Sequence, residues 1–262
     1  MAADRVVPLD VMRNPGRFHL DSREVSLWTV RLDASPNNFE RCFAWLSADE
    51  TARAERFHFP QHRRAFVLGR AALRALLGRY LDMGAMEIQF VYGPQGKPAL
   101  APGLQTSACP LEFNAANSGN LAAYAFTIGC PIGVDIERHR ELQDFEKIAD
   151  RFFSPEEAAE LLELPPAEKT SAFYHCWSRK EAYIKALGGG LSIPLDSFRV
   201  TLRPSVPVRF VTLGGSEEAA HGWTLESFDP TPGYAGAIAY PGRARSIKAS
   251  PIISVDDLLG AS

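Results

Sequence analysis

The chain has 262 residues, of which 46% are hydrophobic and 23% charged, and its formal net charge is -3. That balance suits a soluble globular protein of one or two domains and lacks the positive excess that tracks nucleic-acid phosphates, so a nucleic-acid partner is not expected. Cys42, Cys109, Cys130 and Cys176 form no C-x-x-C pair, and there is neither an apolar leader nor an apolar stretch of membrane-spanning length, so no zinc site, disulfide framework or membrane is expected and the cytoplasm is the expected compartment.

After an irregular opening, Glu24 to Asp33 reads as a strand rich in β-branched and aromatic residues. Ser47 and Glu50 form a capping box that starts a short helix, and Pro60 opens a longer one. In that longer helix Phe66, Leu73, Leu76, Leu77 and Tyr80 supply an apolar stripe, with Arg63, Arg64, Arg70 and Arg74 around it as a cationic face. Three strand-like runs follow, Ile88 to Tyr92, Leu111 to Ala115 and Leu121 to Thr127, separated by G-P-Q-G-K-P and N-S-G-N turns, and they read as one small antiparallel sheet.

Ile132 to Glu137 is a further strand, and Ser154, Pro155 and Glu157 start a helix that should stop at Pro165-Pro166. Ala167 to Leu187 is a long helix closed by three glycines, and strand candidates follow at Phe198 to Leu202, Val208 to Leu213, Trp223 to Phe228 and Tyr234 to Tyr240. Helices and a sheet thus occur twice. The likeness of L-E-F-N…L-A-A-Y-A-F to T-L-E-S-F…Y-A-G-A-I-A-Y points to two similar halves joined near residue 130. The tail after Arg243 shows no strong period and reads as a surface segment.

In I-G-V-D-I-E, strand alternation places Ile132, Val134 and Ile136 on one face and Asp135 with Glu137 on the other. Two adjacent carboxylates repel unless one is protonated or a cation lies between them, and oxygen ligands suit a hard ion such as Mg²⁺. An ordinary exposed strand face is the alternative. In the long helix Phe173, Trp177 and Ile184 form an apolar stripe with Glu181 on the same face and Lys185 one turn further. Here the alternative is a surface i,i+4 ion pair. Together, three acids and a lysine offer a metal and a cation for a diphosphate. The glycine run 188 to 190 follows a helix rather than preceding one, so it is a helix stop and not a phosphate cradle. The six histidines have no metal-ligand spacing.

G-V-D-I-E at 133 to 137, R-F-F-S-P-E-E at 151 to 157 and W-S-R-K-E-A-Y-I-K-A-L-G-G-G-L at 177 to 191 resemble the signature of the 4'-phosphopantetheinyl transferase superfamily. A-R-A-E-R-F at 52 to 57, L-G-R-A-A-L-R at 68 to 74, G-K-P at 96 to 98 and F-N-A-A-N-S-G at 113 to 119 are similar to its broad-specificity, surfactin-synthetase-activating (Sfp) type. The resemblance implies an α+β pseudo-dimer of two similar α/β halves with the active site in the cleft between them. Residues 1 to 131 would form the N-terminal half with the nucleotide contacts, and 132 to 262 the C-terminal half with the metal site and catalytic helix.

By the same resemblance Asp135, Glu137 and Glu181 would hold Mg²⁺, or Mn²⁺, against the diphosphate of coenzyme A. Glu181 would help deprotonate a serine of an apo acyl or peptidyl carrier protein, Lys185 would stabilise the departing 3',5'-ADP, and Asp135 would serve both metal and chemistry. Contacts to the nucleotide would fall on Arg53, Lys97, Ala116 and Asn117, with Lys180 near the phosphates. Family members commonly read Ser-His where this chain has Ala116-Asn117, so weaker coenzyme A binding than in a His-bearing relative is expected. A monomer is expected. Two other readings compete: a metal-dependent nuclease, against which the acidic balance argues, and a degenerate, non-catalytic coenzyme A-binding module, against which the retained acids and Lys185 argue.

Overall fold

The computed structural model describes residues 6–8, 18–104, 109–141 and 144–260. In chain order its elements are β1 (Val6–Pro8), β2 (Glu24–Arg31), α1 (Pro36–Ala44), α2 (Ala48–Glu55), α3 (Pro60–Leu81), β3 (Phe90–Tyr92), β4 (Pro98–Leu100), β5 (Leu111–Ser118) and β6 (Leu121–Ile128). There follow β7 (Gly133–Arg138), α4 (Phe145–Phe152), α5 (Pro155–Glu163), α6 (Pro166–Leu187), β8 (Phe198–Val200), β9 (Phe210–Leu213), α7 (Glu217–His221), β10 (Trp223–Phe228), β11 (Tyr234–Pro241), β12 (Ser246–Ser254) and α8 (Val255–Leu259).

The two halves repeat one plan. In the first, β2 runs to three helices, a small hairpin and then β5 and β6, with sheet order β2-β6-β5; in the second, β7 runs through α4 to α6, a small hairpin, α7, β10 and β11, with order β7-β11-β10. The look-alike segments in the sequence are β5–β6 and β10–β11, equivalent antiparallel pairs. α3 and α6 have 22 residues each and end at left-handed caps, Asp82 and Gly188. The molecule is an α+β pseudo-dimer.

Each long helix lays its apolar face on its own sheet. Leu68, Leu76 and Leu77 of α3 pack with Trp28, Tyr124 and Phe126, while Phe173, Tyr183 and Ile184 of α6 pack with Ala235 and Ala237 of β11. A third core joins the halves: Val25, Leu27 and Ala123 meet Val134, Ile136, Ile238 and Tyr240. Burial of this shared layer fixes the halves relative to each other, because fully burying each such side chain stabilises by roughly 1.5–3 kcal/mol.

Three expectations are corrected. β3 pairs with β4 in a separate hairpin and does not join β5 and β6, because the glycine turn Gly93–Gly96 folds it back locally. The tail after Arg243 is not a surface segment: β12 pairs parallel to β2 in the first sheet, and α8 packs Val255 and Leu258 into that half's core. Arg74 is not on a cationic surface either; its side chain is buried and ion-paired with Glu50. α1 and α4 were not expected. Ser35 caps α1 and Pro36 opens it, but its apolar stripe is too short to stand out in sequence.

Candidate active site

The site lies where β7 meets α6. Gly133 permits the contact, since a β carbon there would stand 1.9 Å from the Ala182 carbonyl oxygen and 2.4 Å from the Ala186 nitrogen, both backbone atoms of α6. From that start β7 alternates as expected: Val134 and Ile136 enter the shared core, and Asp135 and Glu137 take the other face. This face is not an exposed one, because Asp135 is only 3% accessible.

The edge of the first sheet locks β7 in register. Asn114 of β5 accepts from the Val134 amide at 2.9 Å, and Ser118, two pleats along, accepts from the Arg138 amide at 3.0 Å. The Ser118 hydroxyl in turn donates to Glu137 at 2.8 Å. Sequence reading missed both residues as positioning groups. Their i,i+4 spacing on a strand was visible, whereas their partners twenty residues away were not.

α6 presents Glu181 and Lys185 one turn apart on the wall of a 260 Å³ cavity, with Gly96, Lys97, Asn114 and Ala115 opposite. Lys185 Nζ donates to Asp135 Oδ1 at 2.5 Å, across from α6 to β7. Burial disfavours the Lys185 ammonium, but the charge and hydrogen bond of Asp135, with Glu181 and Glu137 behind it, outweigh burial and hold its pKa above the ordinary lysine value. Burial and then the Asp135 charge push the carboxyls of Glu137 and Glu181 above the usual range. The surface ion-pair alternative for Glu181 and Lys185 is not what forms; Lys185 pairs with Asp135 instead.

Among the described residues no three His, Cys, Asp or Glu side chains stand together as a ready metal-binding group. The chemistry of Asp135, Glu137 and Glu181 nonetheless fits a hard divalent cation. Among the described residues Asp135 Oδ2 is buried without a hydrogen-bond partner, and the charge of Asp135 pushes up the carboxyls of both Glu137 and Glu181, a repulsion that a cation would relieve.

A second cavity of 230 Å³ shares Gly96, Pro98 and Ala115 with the first and continues it into the N-terminal half. Arg53, Ala116 and Asn117 all line it, so these three expected residues come together, and the Arg53 guanidinium lies 5.1 Å over the Phe66 ring. Arg70 lines it too.

Two of the expected ligand contacts, Lys97 and Lys180, spend their ammonium groups on protein oxygens. Lys97 Nζ donates to the carbonyls of Lys185, Ile132 and Ala186 at 2.6, 3.1 and 3.3 Å, which uses all three ammonium donors on the open end of α6 and the start of β7. Lys180 is wholly buried in the core of the second half, 2.7 Å from Glu157, and donates to the carbonyls of Leu195 and Phe198. Lys180 precedes Glu181 by one residue, about 100° round the helix, and faces the core, so it does not reach the cleft. His175 sets its two ring nitrogens 2.8 Å from acceptor oxygens, Asp229 Oδ1 and the Ser171 carbonyl, as a helix-packing residue.

Known proteins resemble the chain in sequence over most of its length. Residues 131–239 match the model of the 4'-phosphopantetheinyl transferase superfamily, and residues 31–128 match that of the 4'-phosphopantetheinyl transferase N-terminal region. The chain is similar to the 4'-phosphopantetheinyl transferase HetI of Nostoc sp. (strain PCC 7120), 38% identical over 87% of this chain and 92% of that protein. It is also similar to the 4'-phosphopantetheinyl transferase Sfp of Bacillus subtilis (strain 168), 32% identical over 84% of this chain and 92% of that protein. A solved holo-[acyl-carrier-protein] synthase of Thermotoga maritima overlaps 43% of this chain and 63% of its own at 16% identity and a TM-score of 0.32.

Proposed function

The chain belongs to the 4'-phosphopantetheinyl transferase superfamily, and we propose that it moves the 4'-phosphopantetheine moiety of coenzyme A onto a serine of an apo acyl or peptidyl carrier protein. The observation that carries this reading is the Lys185–Asp135 contact of 2.5 Å, with Glu181 one turn away on the wall of the same cavity. The N-terminal half, residues 1 to 131, takes the nucleotide, and residues 132 to 262 supply the carboxylates and the catalytic helix. Both sides of the cleft come from one polypeptide, which supports action as a monomer.

Glu181 is the base. Burial beside Asp135 raises its carboxyl, which strengthens its hold on the proton of the carrier serine. The serine oxygen bonds to the β-phosphorus of coenzyme A, the bond from that phosphorus to the bridging oxygen breaks, and the electron pair leaves with 3',5'-ADP. Lys185, charged and held in place by Asp135, neutralises or protonates that leaving oxygen. Asp135, Glu137 and Glu181 would hold Mg²⁺ or Mn²⁺ against the diphosphate. When bound, the ion supplies charge neutralisation of the phosphoryl oxygens. Arg53, Ala116 and Asn117 receive the nucleotide end. Among the described residues no helix is long and apolar enough to cross a membrane, and neither the nuclease nor the non-catalytic alternative gains support from the comparisons.

The test is intact-mass measurement of several apo-carriers incubated with coenzyme A and Mg²⁺. Conversion to holo-carrier by the wild type, lost on chelation and in Glu181→Gln, supports the reading. No conversion of any fatty-acid, polyketide or nonribosomal-peptide carrier contradicts it.

A further inference from the structure

α3 and α6 hold equivalent places in the two halves and have 22 residues each, so positions counted back from Leu81 and Leu187 correspond. Ala65, Phe66, Gly69 and Leu73 of α3, in the wall of the cavity that holds Arg53 and Asn117, thereby match Ser171, Ala172, His175 and Arg179 of α6. Those four α6 residues line a cavity of their own, 360 Å³, against Ser227 and Asp229. It lies on the other flank of α6 from the catalytic cleft, since Arg179 and Glu181 stand about 200° apart round the helix. A cavity with no ligand to hold is most stable when apolar side chains fill it, yet here a serine, a histidine and an arginine replace alanine, glycine and leucine.

Arg179 is 4% exposed. Its Nε donates to the Ser227 hydroxyl at 2.9 Å and its Nη1 to the Thr201 carbonyl at 2.6 Å, which fixes the guanidinium plane, while Nη2 has no hydrogen bond among the described residues. The Ser227 hydroxyl accepts from Arg179 and so keeps its own hydrogen for a partner in the cavity. Burial holds the Arg179 guanidinium below the ordinary arginine value, and Asp229 attracts it without forming an ion pair. Asp229 is engaged instead with His175, whose other ring nitrogen faces the Ser171 carbonyl. Only the doubly protonated ring donates to both oxygens at once, and its charge then matches Asp229 and leaves that of Arg179 unmatched.

Two donors on a fixed framework, one of them the edge of a guanidinium, suit an oxyanion. We propose that this cavity is a second ligand site, separate from the coenzyme A cleft, in which Arg179 Nη2 and the Ser227 hydroxyl hold a small oxyanion, a free phosphate or carboxylate. The Asp229 carboxylate, 61% exposed at the rim, repels polyanions and restricts the site to small anions of low charge.

The test is a nuclear magnetic resonance titration of the isotope-labelled full chain, its cleft filled with coenzyme A, with inorganic phosphate and with acetate against a chloride background. The Ser227 amide and Arg179 Nε resonances should shift saturably with at least one of the two anions, and the anion that saturates identifies the source. Arg179→Met should weaken that binding by about ten- to a hundredfold and Ser227→Ala by about three- to tenfold, with coenzyme A affinity unchanged in both. Should Arg179→Met fail to fold, the serine variant decides. Absence of saturation with either anion, or variants that bind as the wild type does, overturns the proposal. So does a joint loss of anion and coenzyme A affinity, which would put the anion in the cleft. A wild type that does not bind coenzyme A counts against the coenzyme A reading and leaves the Ser227 shifts to decide this one.

Discussion

Gly133 and Ala182 approach so closely that any side chain at residue 133 would have to displace the carbonyl oxygen of residue 182, 1.9 Å from an added β carbon. The strand that carries Asp135 and the helix that carries Lys185 are thus set one against the other by the absence of a methyl group. Gly133→Ala should destabilise the protein by about 1–3 kcal/mol, the usual cost of overpacking, and depress turnover more than coenzyme A binding, because it separates β7 from α6. Urea unfolding alongside kcat and KM measures both. A variant with wild-type stability would show that the strand and helix have slack.

The buried ion pair of Lys180 and Glu157 makes a different forecast. Both side chains are 0% exposed, and Glu157 also caps α5 and accepts from the Val200 amide. Lys180→Met leaves an uncompensated buried carboxylate, at a cost of about 3–5 kcal/mol, and Lys180→Met with Glu157→Gln should recover part of it. Chemical denaturation of single and double variants distinguishes this from a phosphate contact, which would change donor affinity and spare stability.

Lys97 likewise should act through structure. Lys97→Met strips three carbonyls of their donor at the end of α6, so loss of about 1–3 kcal/mol is expected, with Lys185 less well held. A drop in coenzyme A affinity with unaltered unfolding would place the ammonium on the ligand instead.

Acid sensitivity follows from Asp229. The hydrogen bond from His175 holds its carboxyl below the ordinary 3.8. A depressed folded-state pKa contributes stability that is present above the unfolded value and lost as pH falls through the folded one. Asp229→Asn should therefore be less stable than the wild type near neutrality, with the gap closing below about pH 4. Urea midpoints at several pH values check this. A gap that stays constant into acid would deny the His175 hydrogen bond any part in it.

Much of the site was legible because short periods carry it. Alternation in Ile132 to Glu137 and one-turn spacing of Glu181 and Lys185 are local facts, and both faces formed as expected. What escaped depends on partners distant in sequence. Nothing near Lys180 reveals that its ammonium meets Glu157, nor near Arg74 that it meets Glu50. β12 was hidden by Pro251 and by the register shift between Ala249 and Ile252, which break the alternation that would mark a strand. Its place beside β2 is a matter of topology that no window of ten residues encodes.

The most direct measurement is a double-mutant cycle on kcat/KM for carrier modification with Asp135→Asn and Lys185→Met. If the 2.5 Å contact makes one catalytic unit of β7 and α6, each single change should cost about a hundredfold or more and the double little beyond the worse single. Losses that simply multiply, or a Lys185→Met enzyme that turns over normally, would mean that the two side chains do not serve a common phosphoryl centre.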